Sequence, residues 1–410
     1  MSMFPVNKGG DILAWRDTVE LVDGVKRKLS EKMAYLLDGD ELVLLQDLQG
    51  RIEEEMAVEY RFAEDAGQVL AALETAGTVD EMVAAYRHGR QLSTDYFDRR
   101  GSVLVVQSLC IRLQDRLTCR AVLLASEWME RSGFGPPPAP YCWFAFGGAG
   151  REEGTVAGNF NALLVHGEVH GESAAYFAGF SLRVNAILEN CGVKSAGGIT
   201  PVHPSWRGSI NEWRTRLIGG AAGEKTQEDL SFLVRFADLR LVSGDSTLCG
   251  EMINLIRSLF EFNRRGFDEV ARVTAEMATG LDFFGRLRLE KGGEHRGEFN
   301  LGQYALNPLM ENIRIMAVRA DVPLTANVGR IKGLLEKGHL GVDLSQRLLR
   351  ACHDFTSLKL RSEMRHNSGG EGVFLKPEEL DDCEMDSLKE GMEAVVNLQR
   401  IVYQRFVVSS

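Results

Sequence analysis

The sequence predicts an α+β protein, with a small mixed sheet, a helical region before it and a helical bundle after it. Three observations carry this. Tyr141 to Phe146 and Asn159 to Val165 are short apolar runs of strand length, the first flanked by Pro140 and Gly147. Apolar residues recur at helical spacing ahead of them, from Val79 to about Met129. The last third repeats that spacing in several separate stretches.

The chain has 410 residues, enough for about two or three domains with substantial cores. With 44% hydrophobic and 26% charged residues it has the composition of an ordinary soluble protein. Its 47 basic against 58 acidic side chains, net −11, argue against a nucleic-acid-binding surface, so no nucleic-acid partner is expected. No run approaches the ~18 apolar residues of a membrane span. The first ten residues lack the apolar region of a secretory signal. A cytoplasmic protein without a membrane partner is the expectation. Cysteines at 110, 119, 142, 191, 249, 352 and 383 form no Cys-x-x-Cys, so no zinc ribbon or redox motif is indicated. They read as reduced and mostly buried.

Residues 11 to 63 are expected to form an antiparallel helical hairpin. Val19 to Leu36 and Leu42 to Met56 are its arms, and Asp38-Gly39-Asp40 is the break. It is either a dimerisation or sensor element, or a hairpin packed onto the body. Thr78 reads as the N-cap of a helix through Tyr86, and a longer helix starts near Ser102. Ser132 to Pro140, dense in Gly and Pro, reads as a domain boundary.

The stretch from Tyr141 to His166 organises the centre. After the first strand, Gly147, Gly148 and Gly150 allow φ > 0 and close approach to a ligand. On the second strand, side-chain alternation puts Asn159 and Asn161 on one side. His166 and His170 are four apart, but Gly167 and Gly171 disfavour a helix there, so a solvated loop is expected. Ala175 to Cys191 reads as a helix, and Val193 to Val202 as a turn leading into an extended segment. Phe260 to Phe284 reads as one helix. Further helices are expected at Asn307-Pro308, from Thr325, after an Asp343 cap, and around Leu388 to Phe406.

Strand, Gly-Gly, short connection and second strand resemble the DNA polymerase beta-type nucleotidyltransferases. The nearer resemblance is to the putative nucleotidyltransferase family often fused to cyclic-nucleotide-binding and CBS domains, itself similar to PII-protein uridylyltransferases. Its motif runs Gly-Ser-Glu-Gly-Arg-Arg-Glu-Gln-Thr, then Asp-Gln-Asp-Asn-Ala-Leu-Ile. Gly147, Gly150, Arg151, Glu153 and Thr155 match it. The two family acids fall on Asn159 and Asn161 without a gap, or on Gly158 or Asn159 and Phe160 with one. Pro204, Trp206, Arg207, Ser209, Glu212 and Trp213 match a second family motif, from which His203 departs. Asp238, Arg240, Gly244 and Asp245 match a third. The family's Asp-Leu-Lys appears as Asn300-Leu301-Gly302.

The resemblance implies four regions. These are an N-terminal hairpin (1–75), a helical lead-in (76–135), a nucleotidyltransferase core (136–255) and a substrate-binding-like helical bundle (256–410). It implies nucleotidyl transfer from an NTP to a bacterial regulatory protein, with Mg²⁺ held by the acid pair. Gly147, Gly148, Gly150 and Arg151 would cradle phosphate. Arg207 would either bind phosphate or stack on Trp206 or Trp213. Asp238 would be the surviving catalytic acid and metal ligand, or a structural partner of Arg240, with Asp245 as a helix cap. With Asn at both acid positions, the expectation is a degenerate metal site in a protein acting by nucleotide or partner binding. The alternatives are an active metal-dependent transferase and a homodimeric helical scaffold.

Overall fold

The computed structural model describes residues 39–195, 197–219, 226–282, 285–366 and 373–408, and the α+β class is the one observed. The chain divides into two units, Met1–Ala71 and Ala72–Ser410. Within the first, helix α1 (Gly39–Thr75) begins; it contains the second arm of the expected hairpin and runs past its expected end at 63. The first arm, and with it the hairpin, lies outside the described residues.

In the second unit the lead-in helices form as their sequences require. Thr78 caps α2 (Val79–Arg100), its Oγ1 accepting from the Glu81 amide at 3.2 Å, and Gly101 at φ 63° ends it. The apolar stripe of α3 (Val103–Arg131), including Leu109, Leu113, Leu117 and Ala121, is buried.

Strands β1 (Tyr141–Phe146) and β2 (Asn161–His166) are antiparallel, with Phe146 opposite Asn161 and Tyr141 opposite His166. β3 (Arg207–Ser209) lies parallel to β2, and β4 (Arg240–Gly244) antiparallel to β1, in the order β3-β2-β1-β4. β2 begins two residues later than expected, because Asn159 makes an isolated bridge with Lys194 instead. His166 is not in a solvated loop. Its pairing with Tyr141 makes it the buried last residue of β2, its ring stacked on Phe177 at 4.3 Å. Burial pushes its pKa down, against the contact with the Gly167 carbonyl.

Cys142, Phe144, Phe146, Leu163 and Val165 alternate onto one sheet face. That face belongs to a core shared with Trp213 of α5 (Ile210–Ile218), Leu233 of α6 (Gln227–Arg235) and Met252 of α7 (Ser246–Phe262). The other face sends Trp143 against Phe180 of α4 (Tyr176–Asn190), with ring centroids 6.4 Å apart.

The stretch from 260 to 284 is not one helix. At the end of α7, Asn263 turns its amide back to the Leu259 carbonyl at 2.7 Å, and Gly266 follows before α8 (Phe267–Ala275). An amide that competes for a helix carbonyl, followed by Gly, ends a helix. A two-stranded ribbon pairs β5 (Phe299–Asn300) with β6 (Phe374–Leu375). Around it lie α9 (Asn307–Arg319), α10 (Asn327–Glu336), α11 (Val342–His366) and α12 (Asp382–Tyr403). Asp343 sits within the first turn of α11 rather than capping it. One apolar core runs through the sheet and these helices, from Cys142 to Phe406.

Candidate functional site

At the end of β1 the chain turns sharply. The amides of Arg151, Glu152 and Glu153 bond back to the carbonyls of Gly147, Ala149 and Gly148 at 2.9, 3.3 and 2.9 Å. These bonds leave the amides of Gly148, Ala149 and Gly150 outside the turn's own pattern. Gly147 takes φ 63°, as a residue without Cβ can. Glu152 also takes positive φ, 61°, a conformation costly for a residue with a Cβ. Asn161 is the neighbour on β2: a Cβ on Gly147 would lie 3.8 Å from its Nδ2. Gly150 serves a different end from the one expected. A Cβ there would fall 1.8 Å from the Asp238 carbonyl oxygen, so its missing side chain lets two backbones meet rather than admitting a ligand.

Arg151 was expected to face phosphate; instead it points into the fold and is buried. Its Nε and Nη2 donate to Glu153 Oε2 at 3.0 and 2.7 Å, and its Nη1 to Asp238 Oδ2 at 2.7 Å. A guanidinium taken out of water needs such partners; Glu153 comes from 2 residues along the chain and Asp238 from 87. Burial lowers the Arg151 pKa, and the charges of Glu153 and Asp238 more than reverse this.

Asp238 is likewise an interior residue. It is 0% exposed, in a short 3₁₀ turn before β4. Arg314 of α9 donates to it bidentately, its Nη2 to Oδ2 at 2.7 Å and its Nε to Oδ1 at 3.1 Å. Arg330 of α10 reaches Oδ1 at 2.8 Å and donates to the Ala237 carbonyl at 2.8 Å. Burial raises the Asp238 pKa, but the charges of Arg314, Arg151 and Arg330 outweigh it and hold the carboxyl well below its usual range. Its partner is not Arg240, which forms a fork with Asp115 of α3 at 2.8 and 2.9 Å and donates to the Ala149 carbonyl at 3.0 Å. Arg240 thus braces the glycine turn. Asp245 caps α7, accepting from the Leu248 amide at 2.8 Å.

The loop from the turn to β2 is tied to the C-terminal helices. Glu153 Oε1 accepts from Asn327 at 2.6 Å, and the Thr155 hydroxyl donates to Glu363 of α11 at 3.2 Å. Arg207 neither faces open solvent nor stacks on a tryptophan. Its Nη1 donates to the carbonyls of Pro201 and Val202 at 2.6 and 3.1 Å, while Arg216 takes the place over Trp213 at 5.0 Å. His203, the departure from the second motif, caps the 3₁₀ turn Pro204–Trp206, its Nδ1 accepting from the Ser205 amide at 3.3 Å.

Arg314, Arg330, Asn327 and Asp115 belong to this network yet are remote in sequence from the residues they hold. One local signal existed: Arg314 stands between Ile313 and Ile315 in a helical stretch buried all round, where a charge demands a partner.

The strand frame, the turn and the helical region behind it agree with the family comparison. Residues 87–227 match the model described as putative nucleotidyltransferase, and residues 264–406 the model described as putative nucleotidyltransferase substrate binding domain. The chain belongs to the putative nucleotidyltransferase family. No curated protein matches the sequence. Asp238 falls between the two matched segments and joins them, with Arg151 in the first and Arg314 and Arg330 in the second.

Membership implies Mg²⁺, but the donors present do not fit it. Mg²⁺ prefers anionic oxygen in octahedral array, and Asn159 and Asn161 supply none. Both oxygens of Asp238 and of Glu153 accept hydrogen bonds from other side chains. Among the described residues, no group of three or more His, Cys, Asp or Glu side chains is arranged to hold a metal ion. Nor, among them, is any helix long and apolar enough to cross a membrane.

Proposed function

We propose that this nucleotidyltransferase-family protein binds a nucleotide at the turn of Gly147, Gly148 and Gly150, beside Asn159 and Asn161. In this reading it works as a regulatory binding protein for a partner protein, without metal-dependent transfer. The observation that carries the reading is the combination of an intact turn with uncharged residues at the acid positions. The turn is tied to the fold on three sides: Arg240 holds Ala149, Asp238 abuts Gly150, and Arg151 donates to Asp238 from inside. Backbone N–H groups at such a turn favour an anion. The amides of Asn159 and Asn161 have no charge with which to hold two cations, so the ions that would activate an attacking hydroxyl have no anchor.

A second reading, active transfer, draws on one observation. Glu152 is 42% exposed at the turn and only 4.0 Å from Arg240, so one carboxylate stands near the site.

The test uses radiolabelled ATP and UTP. Binding is measured with and without Mg²⁺, and label transfer is followed in cell extract with Mg²⁺ or Mn²⁺. The expected outcome is binding that does not depend on Mg²⁺, and no labelled protein. The double variant Asn159→Asp, Asn161→Asp should make binding Mg²⁺-dependent, because it restores the two anionic ligands. Label on a protein band with the unsubstituted chain would overturn the proposal in favour of transfer. Absence of nucleotide binding under all conditions would overturn both readings.

A further inference from the structure

Four aromatic rings gather at the end of the sheet that carries the glycine turn. Phe146 lies 5.6 Å from Trp206 and 5.3 Å from Phe236 between ring centroids. Phe232 lies 5.9 Å from Trp206 and 5.2 Å from Phe236. Phe146 and Phe236 are buried, whereas Trp206 is half-buried and Phe232 is 37% exposed. The partly open pair therefore stands on a closed aromatic base.

Register puts this group beside the turn. Phe146 immediately precedes Gly147 and pairs with Asn161. Arg207 pairs with Leu164, so Trp206 lies level with Leu163, one strand over, and packs against the same core as Phe146 and Leu163. Trp206 is held before any ligand arrives. Phe146 and Phe232 pack against its ring, its amide donates to the His203 carbonyl at 3.0 Å, and the next residue, Arg207, is anchored to Pro201 and Val202. A fixed ring has little conformational freedom to lose on binding.

We propose that Trp206, with Phe232 at its side, is the platform on which the base of the nucleotide stacks. This rests on the nucleotide-binding reading and names its base contact. A nucleobase has a flat π face that suits an indole, and stacking tolerates any of the four bases. The phosphate-side groups begin one residue beyond Phe146, so base and phosphates would occupy adjacent parts of one mouth. A protein partner is a poorer fit, because two partly exposed rings offer far less than the roughly 1,000 Å² of a specific interface.

The experiment measures the affinity of the full chain for ATP, UTP, CTP and GTP against inorganic tripolyphosphate, without Mg²⁺. Each nucleotide is expected to bind about ten-fold more tightly than tripolyphosphate. Trp206→Leu should remove most of that advantage and leave tripolyphosphate binding unchanged, while Trp206→Phe should keep most of it. Circular dichroism checks that each variant folds. Phe232→Ala, at the more exposed ring, reads the same ratio if the tryptophan variant does not fold, and should lower it a few-fold. Equal affinity for nucleotides and tripolyphosphate, or a ratio unchanged in the folded variants, overturns the platform while nucleotide binding stands. Failure of every probe to bind overturns the platform together with the reading beneath it.

Discussion

Asp238 holds three guanidinium groups in the interior, and the cost of losing its charge follows from that count. Asp238→Asn keeps the volume but removes the one carboxylate that Arg151, Arg314 and Arg330 share, leaving Arg151 with Glu153 and Arg314 with Glu311. Removing one partner of a buried ion pair typically costs about 3–5 kcal/mol. Urea unfolding at pH 7 should show a loss of that order. The folded carboxyl titrates below its unfolded value of roughly 3.9. Its stabilisation is therefore fully present above that value and lost as pH falls towards the folded pKa. The variant should lack this part of the acid sensitivity. Glu363 has the opposite sign. Burial pushes its carboxyl up, only partly opposed by Lys359, the Thr155 hydroxyl and the Ala157 amide. A raised acid destabilises the fold as pH rises from about 4.3 through the folded pKa. Relative to the unsubstituted chain, Glu363→Gln should therefore be more stable at pH 7 than at pH 4. Equal differences at the two pH values would contradict this. Sequence motifs point to Arg151 and Asp238 as special, but Arg151 meets Asp238 87 residues along the chain and Asp238 meets Arg314 76 residues along it, pairings that no local pattern reports.

At the glycine turn two backbones meet with no room for a side chain. With an Ala145 oxygen 3.1 Å and an Asp238 oxygen 1.8 Å from any added Cβ, Gly150→Ala forces β1 and the segment before β4 apart. Backbone cannot move aside as a flexible side chain can, so a loss of about 3 kcal/mol is expected. Gly148→Ala is the control, since its nearest neighbour is the Arg151 Nη2 at 3.9 Å. Thermal melting of the two variants should separate them clearly, and equal melting points would refute the argument. Elements with strong local signals were legible: the six-residue strand between Pro140 and Gly147, the Thr78 cap and the apolar stripe of α3 all sit close to where the sequence puts them. Errors arose where tertiary contacts overrode local pattern. His166 looked like loop beside Gly167, yet strand pairing with Tyr141 buried it. The stretch from 260 to 284 kept helical spacing through Asn263 and Gly266, where a side-chain amide and a glycine break it.

At the scale of the molecule, the family motifs imply two bodies, a core ending near 255 and a bundle after it, whereas the contacts imply one. Asp238 binds Arg314 and Arg330, Glu153 binds Asn327, and Thr155 binds Glu363, so these four polar ties cross that line. The apolar core crosses it too, from Phe144 and Trp213 to Phe355 and Leu398 without a break. Groups that share buried charges and one core lose their partners together, so Ala72–Ser410 should unfold in a single transition. The chain supplies independent probes. Trp128, Trp143, Trp206 and Trp213 lie on the first side, so in a Trp15→Phe chain tryptophan fluorescence reports that side, and hydrogen exchange in α11 and α12 reports the other. The two midpoints in urea should coincide. Separation of α11 and α12 from the tryptophan signal would mean that the arginine cluster is a contact between autonomous domains. The Asp238→Asn variant tests the same point from the other side, since weakening the ties should lower both midpoints together in one cooperative body and should split them in two.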